Sequence, residues 1–79
     1  MNDIEVRLTR CFSAVFPDIP LQQITSASHD TVKMWDSIAA ATLITAIEEE
    51  FGIEFAAEEL SNLTSFQLIL SYLERPPGV

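Results

Sequence analysis

Ser37 is the side chain with the most chemistry on offer, because of what stands on either side of it. Asp36 precedes it, and Ile38, Ala39 and Ala40 follow as the start of an apolar run. Aspartate is a strong N-cap type: its carboxylate accepts from backbone N–H groups that the first helical turn leaves unpaired. Ser37 then falls in that first turn, at the positive end of the helix dipole. An anion on its hydroxyl would be held by the dipole and by the unpaired N–H groups, which suits a serine carrying a phosphate ester. Two further reactive types occur once each. His29 is the only histidine, and with Ser37 it would make a base and nucleophile. No Gly-x-Ser-x-Gly turn surrounds Ser37, so His29 reads as a solvated loop residue. Cys11, the only cysteine, lies in an apolar stripe, where a thiol packs as a small hydrophobe. With no second cysteine there is no disulfide framework.

The element that must position Ser37 is a helix over residues 37–51. Its core stripe is Ala40, Leu43, Ile44, Ile47 and Phe51, with Gly52 as the residue that ends it. Ile38 sits off that stripe at the start of the helix. It either packs partly or contacts whatever binds beside Ser37. Glu48, Glu49 and Glu50 crowd the last turn, where carboxylates face the negative dipole end and each other. No folding benefit is visible for them, and a binding role toward basic partners would explain them.

A first helix is expected over residues 3–16, with Asn2 as cap, Glu5 completing a box, and Ile4, Leu8, Cys11, Phe12 and Val15 on one face. Pro17 and Pro20 stop it. Residues 17–35 form a long connection without a clear period. Leu21, Ile24, Val32, Met34 and Trp35 are its expected anchors on the helices, Ser26, Ser28, His29 and Asp30 are expected to face solvent, and Pro20 to Thr25 suggests a short helical turn. Further on, Ile53 and Phe55 are expected to return to the core. A short helix over 57–61 should turn Leu60 inward and Glu58 and Glu59 outward. A last helix over 65–74 has Thr64 as N-cap, Gln67 at N3, and a stripe of Phe66, Ile69, Leu70 and Leu73. Pro76, Pro77 and Gly78 close a tail, 75–79, expected to be mobile. The fold class is therefore all-α: a small four-helix bundle, three main helices plus one short helix, with a long first loop, in a single domain over 1–79.

The net charge of −8 is unevenly placed. Residues 1–35 hold four acids against three bases; residues 36–79 hold eight acids against Arg75 alone. Nucleic acid is excluded as a partner by the shortage of Lys and Arg, whereas an acidic half-surface speeds encounter with basic proteins. The longest apolar run, Ile38 to Ile47, contains Thr42 and Thr45 and is far short of the ~20 residues a membrane span needs. The acidic N-terminus does not look like a signal peptide. A soluble, cytoplasmic monomer is expected.

Asp36-Ser37-Ile38 resembles the Asp-Ser-Leu attachment motif of acyl carrier proteins and related thiolation domains. The resemblance continues through Leu43 to Phe55, then Glu58-Glu59 and Thr64-Ser65-Phe66. It implies that Ser37 Oγ is esterified by 4′-phosphopantetheine, taken from coenzyme A by a phosphopantetheinyl transferase, and that the thiol of this arm holds an acyl group as a thioester. It implies no catalysis by the chain itself. It also implies acyl-loading and acyl-processing partner enzymes with basic docking surfaces, and Glu48 and Glu49 match positions that meet Arg and Lys on such partners.

Departures from the family pattern narrow the expectation. Met34 stands where a glycine is usual, Trp35 where the housekeeping carriers have a smaller residue, and Ala39 and Thr42 where those carriers place acids. Together they suggest a specialised carrier, in a fatty-acid, polyketide or related pathway, with its own partners. Trp35 is then either core packing or an exposed recognition aromatic, and Ala39 and Thr42 join Trp35, Glu48 and Glu49 as candidate recognition residues. Two competing readings use the same residues: an unmodified acidic adaptor that binds proteins through this helix, and a small serine hydrolase.

Overall fold

The computed structural model describes residues 3–74. They form five helices: α1 (Asp3–Val15), α2 (Leu21–Ile24), α3 (Ser37–Phe51), α4 (Ala57–Leu60) and α5 (Phe66–Leu73). Three are long and two are single turns, and α1 packs against α2, α3 and α5. The expected cap Asn2 and the tail 75–79 lie outside the described residues.

The stops are local chemistry. Phe16 N–H still donates to Phe12 O at 2.7 Å, but Pro17 has no N–H with which to continue α1. Asp36 Oδ1 accepts from Ala39 N–H at 2.8 Å and opens α3. Gly52 closes it at φ 64° and ψ 38°, a left-handed conformation that a glycine adopts without a Cβ clash. At α5 the cap is Ser65, one residue later than expected: its Oγ accepts from Leu68 N–H at 3.1 Å. Thr64 is used otherwise, its carbonyl accepting from His29 N–H at 2.8 Å. Gln67 reaches across the molecule, donating from Nε2 to Thr25 O at 3.1 Å.

The long first loop is ordered by those crossings. An isolated antiparallel bridge joins Ser28 to Ser65, with Phe66 N–H donating to Ala27 O at 3.0 Å. Ser28 and Thr31 lock each other: Ser28 N–H donates to Thr31 Oγ1 at 3.0 Å and Thr31 N–H to Ser28 Oγ at 3.3 Å. Val32 N–H then binds Ser28 O at 2.9 Å, and Trp35 N–H binds Val32 O at 3.0 Å. Backbone groups in a loop must find partners, and here they fix the path that delivers Trp35 to the core.

The core is an aromatic cluster centred on Phe12. Its ring meets Trp35 edge-on at 5.5 Å and Phe66 at 5.1 Å, and lies 6.3 Å from Phe16. Such pairs each contribute about 0.5–1.5 kcal/mol beyond the area they bury. Leu8, Ile24, Leu43, Ile47 and Ile69 complete it. The expected stripes of α1, α3 and α5 are the faces that pack. Four expected anchors do not: Leu21, Met34 and Leu60 are exposed, as is Ile53 at the margin. A four-residue helix has too few turns to bury a whole face, so Leu21 and Leu60 are left outside by α2 and α4. Ile24 and Phe55 are buried instead.

Candidate functional site

Asp36 leaves the extended loop at φ −101° and ψ −171°, a backbone that aims its carboxylate back over the first turn of α3. Its Oδ1 takes the N–H of Ala39, and its carbonyl takes the N–H of Ala40 at 2.8 Å. The helix geometry leaves the N–H groups of Ser37 and Ile38 without intrahelical acceptors. Ser37 is the first residue of α3 and is exposed. A tetrahedral anion on its Oγ would sit beside two free donors at a positive dipole end. His29 is engaged elsewhere: its backbone is tied to Thr64, and its Nδ1 lies 3.6 Å from Asp30 Oδ1. No hydrogen bond joins it to Ser37 among the described residues.

Two concavities lie near this end of the molecule. An open groove of about 570 Å³ runs between α1 and α3, lined by Ala14 and Val15, by Met34 and Asp36, and by Ile38, Ala39, Thr42 and Ala46. A second cavity, about 390 Å³ and more enclosed, lies under the first loop between Phe16 and Met34. The groove is the one at the site, because both residues flanking Ser37 line it. Met34 and Ile38 are 65 % and 78 % exposed, an unusual pair of large apolar side chains left uncovered beside a serine.

The candidate recognition residues separate. Trp35 is 3 % exposed and packed against Phe12 and Phe16; as an exposed recognition aromatic it is corrected to a core residue, since the loop turns it inward and Met34 outward. Ala39 is half-buried and Thr42 exposed. Glu48 has a folding role after all: its carboxylate accepts from Phe55 N–H at 2.8 Å and returns the chain after α3. Glu50 has another, binding Arg7 at 2.8 Å. Glu49 is left exposed, with no such bond among the described residues. Met34 was missed as a surface residue and Arg7 as a partner for the acids. An apolar–apolar step such as Met34-Trp35 gives no sign of which side chain turns inward, but an arginine on the α1 face next to the stripe was a legible signal for a nearby carboxylate.

Comparison with known proteins decides the family. The family described as "Phosphopantetheine attachment site" matches residues 7–73. The chain belongs to the phosphopantetheine-binding carrier family. It is 32 % identical to an acyl carrier protein of Buchnera aphidicola subsp. Schizaphis graminum over 74 residues, 92 % of each chain. It is 45 % identical over 42 residues to a mitochondrial acyl carrier protein of Dictyostelium discoideum, and 48 % identical over 40 residues to one of Buchnera aphidicola subsp. Baizongia pistaciae. These two matches span only 35 % and 51 % of the relatives' length. No solved structure gives a significant match. The prosthetic group of this carrier family is covalent 4′-phosphopantetheine, and the residues here fit it: an exposed hydroxyl, free backbone donors, and an open apolar groove alongside. No helix among the described residues is long and apolar enough to cross a membrane.

Proposed function

We propose that the chain is an acyl carrier whose Ser37 Oγ is the attachment point for 4′-phosphopantetheine, transferred from coenzyme A by a phosphopantetheinyl transferase. The observation that carries this reading is the placement of Ser37: exposed, in the first turn of α3, behind an Asp36 cap, inside the stretch that matches the family. When bound, the group supplies a terminal thiol on which an acyl group rides as a thioester. The chain's own residues hold and present it. Asp36 fixes the start of α3, so that the direction in which Ser37 Oγ points is set by the helix rather than by a mobile loop. The N–H groups of Ser37 and Ile38, which the helix leaves unpaired, would be available to hydrogen-bond a phosphodiester on Ser37 Oγ.

Partner enzymes are read at two places along α3. The first turns offer Ile38, Thr42 and the edge of Ala39, uncharged; the last turn offers Glu49, about 18 Å from Ser37 along the axis at 1.5 Å per residue. A dedicated partner would thus place an apolar surface near Ser37 and a cation near Glu49. That division supports a specialised fatty-acid, polyketide or related pathway, and a cytoplasmic setting goes with it. The test is Ser37→Ala. Incubated with coenzyme A and a transferase, it should take up no prosthetic group while keeping the thermal unfolding of the parent chain. Loading of the variant at another residue would overturn the assignment.

A further inference from the structure

We infer that the groove between α1 and α3 is the resting place of the prosthetic arm, so that the arm lies against Val15, Ile38 and Ala46 between encounters with enzymes. This rests on Ser37 being the attachment point. Asp36 and Ile38, the residues on either side of Ser37, both line the groove, so an arm leaving Ser37 Oγ begins at its mouth. No residue flanking Ser37 lines the more enclosed cavity under the first loop, which shares only Met34 with the groove.

The groove suits the arm's chemistry. The pantoyl part carries two methyl groups next to the phosphate, and the rest alternates short methylene runs with two amides. The walls are apolar and small at Ala14, Val15 and Ala46. Met34 and Ile38 rise at the mouth as large uncovered apolar side chains, placed where the methyl groups come first. Thr42 is the polar point on the α3 wall. Its Oγ1 donates to Ile38 O at 3.0 Å, which leaves its lone pairs to accept an amide N–H from the arm. Apart from Asp36, the lining carries no charge, so nothing opposes a neutral chain lying there. The volume of about 570 Å³ is in the range of small-molecule sites. Tethering supplies what the open shape lacks, because a ligand joined by a short linker has an effective local concentration of about millimolar.

The test is nuclear Overhauser spectroscopy on the loaded protein, after intact mass has shown that Ser37 is modified. The arm's geminal methyl protons should show contacts to Met34 and Ile38 at the mouth, and its methylene protons further along should show contacts to the methyl groups of Ala14, Val15 and Ala46, the same residues shifting between the unloaded and loaded forms. In Ala14→Glu the methylene contacts should be lost. Ala14 is exposed, so the variant keeps the fold, and an unchanged unloaded spectrum away from residue 14 verifies it. A loaded protein with shifts confined to residues 36–38 and no contacts to α1 would overturn the groove and leave the attachment site standing. A protein that does not load would overturn the attachment site itself.

Discussion

Arg7 and Glu50 join the middle of α1 to the C-terminal end of α3. Arg7 Nε binds Glu50 Oε2 at 2.8 Å, its Nη2 donates to the main-chain carbonyl of Glu50, and its guanidinium lies 4.4 Å from the centre of the Phe51 ring. A cation at this helix end meets the negative dipole and part of the acidic run at once. The three consecutive glutamates therefore have unequal duties: Glu50 is tied to α1, Glu48 to the chain after α3, and Glu49 faces outward.

That relationship sets the first prediction. Arg7→Ala should lower the urea midpoint of unfolding more than Glu50→Gln does, because Glu50→Gln keeps the carbonyl and ring contacts of the arginine. Arg7→Lys should fall between the parent chain and Arg7→Ala, since an ammonium cannot make the same fork. Equal effects of Arg7→Ala and Glu50→Gln would place the whole interaction in the carboxylate pair.

Glu48 and Glu49 should separate folding from recognition. Glu48→Ala removes the acceptor of Phe55 N–H and should cost about 1–2 kcal/mol. Glu49→Lys should leave stability within about 0.5 kcal/mol of the parent while weakening turnover by a basic partner and its dependence on salt. Unchanged turnover in Glu49→Lys would make the residue part of a solvated face only.

Trp35→Ala should cost about 3–5 kcal/mol. A chain of this size has little more net stability than that, so the variant should lose most of its helical far-ultraviolet circular dichroism at 25 °C. In the parent chain the single tryptophan should emit at the short wavelengths of a buried indole and shift to the red on unfolding. Native-like stability of Trp35→Ala would contradict its place between Phe12 and Phe16.

Asp36→Ala should cost about 0.5–2 kcal/mol through loss of the cap, and Asp36→Asn a few tenths at most, since asparagine caps as well. A loading rate that falls in Asp36→Asn at unchanged stability would then measure what the carboxylate charge itself adds to recognition by the transferase.

Cys11 gives the pH dependence. Burial pushes its thiol above the 9.0 of a free group, Glu50 raises it further, and Arg7 opposes both. The folded state thus favours the neutral thiol, and the contribution is fully present below pH 9.0 and lost as pH rises through the folded value. Stability should decline with pH above 9.0 in the parent chain more steeply than in Cys11→Ala. Parallel profiles for the two proteins would show that the thiol ionises as freely folded as unfolded.

The helices that carry the site were legible in sequence because their apolar positions recur at helical spacing. Leu43, Ile47 and Phe51 in α3, like Phe66, Ile69 and Leu70 in α5, lie on the faces that the period marks. Asp36 and Gly52 bound α3 by chemistry local to each end. The first loop was not legible, since its path comes from bonds between distant segments, such as His29 N–H to Thr64 O and Phe66 N–H to Ala27 O. No periodicity encodes those. The same crossings decide that Trp35 turns in while Met34 turns out, and that Ser65, held extended by its bridge to Ser28 directly before Phe66, caps α5 rather than Thr64. The groove beside Ser37 was equally hidden, being made by residues from α1, the loop and α3 together.

The most direct measurement is the intact mass of the parent chain after incubation with coenzyme A and a promiscuous phosphopantetheinyl transferase, followed by peptide mapping. The expected result is the addition of one phosphopantetheine, on the peptide containing Ser37. No addition, with a known carrier modified in the same tube, would contradict a carrier role and leave an unmodified helical adaptor in its place.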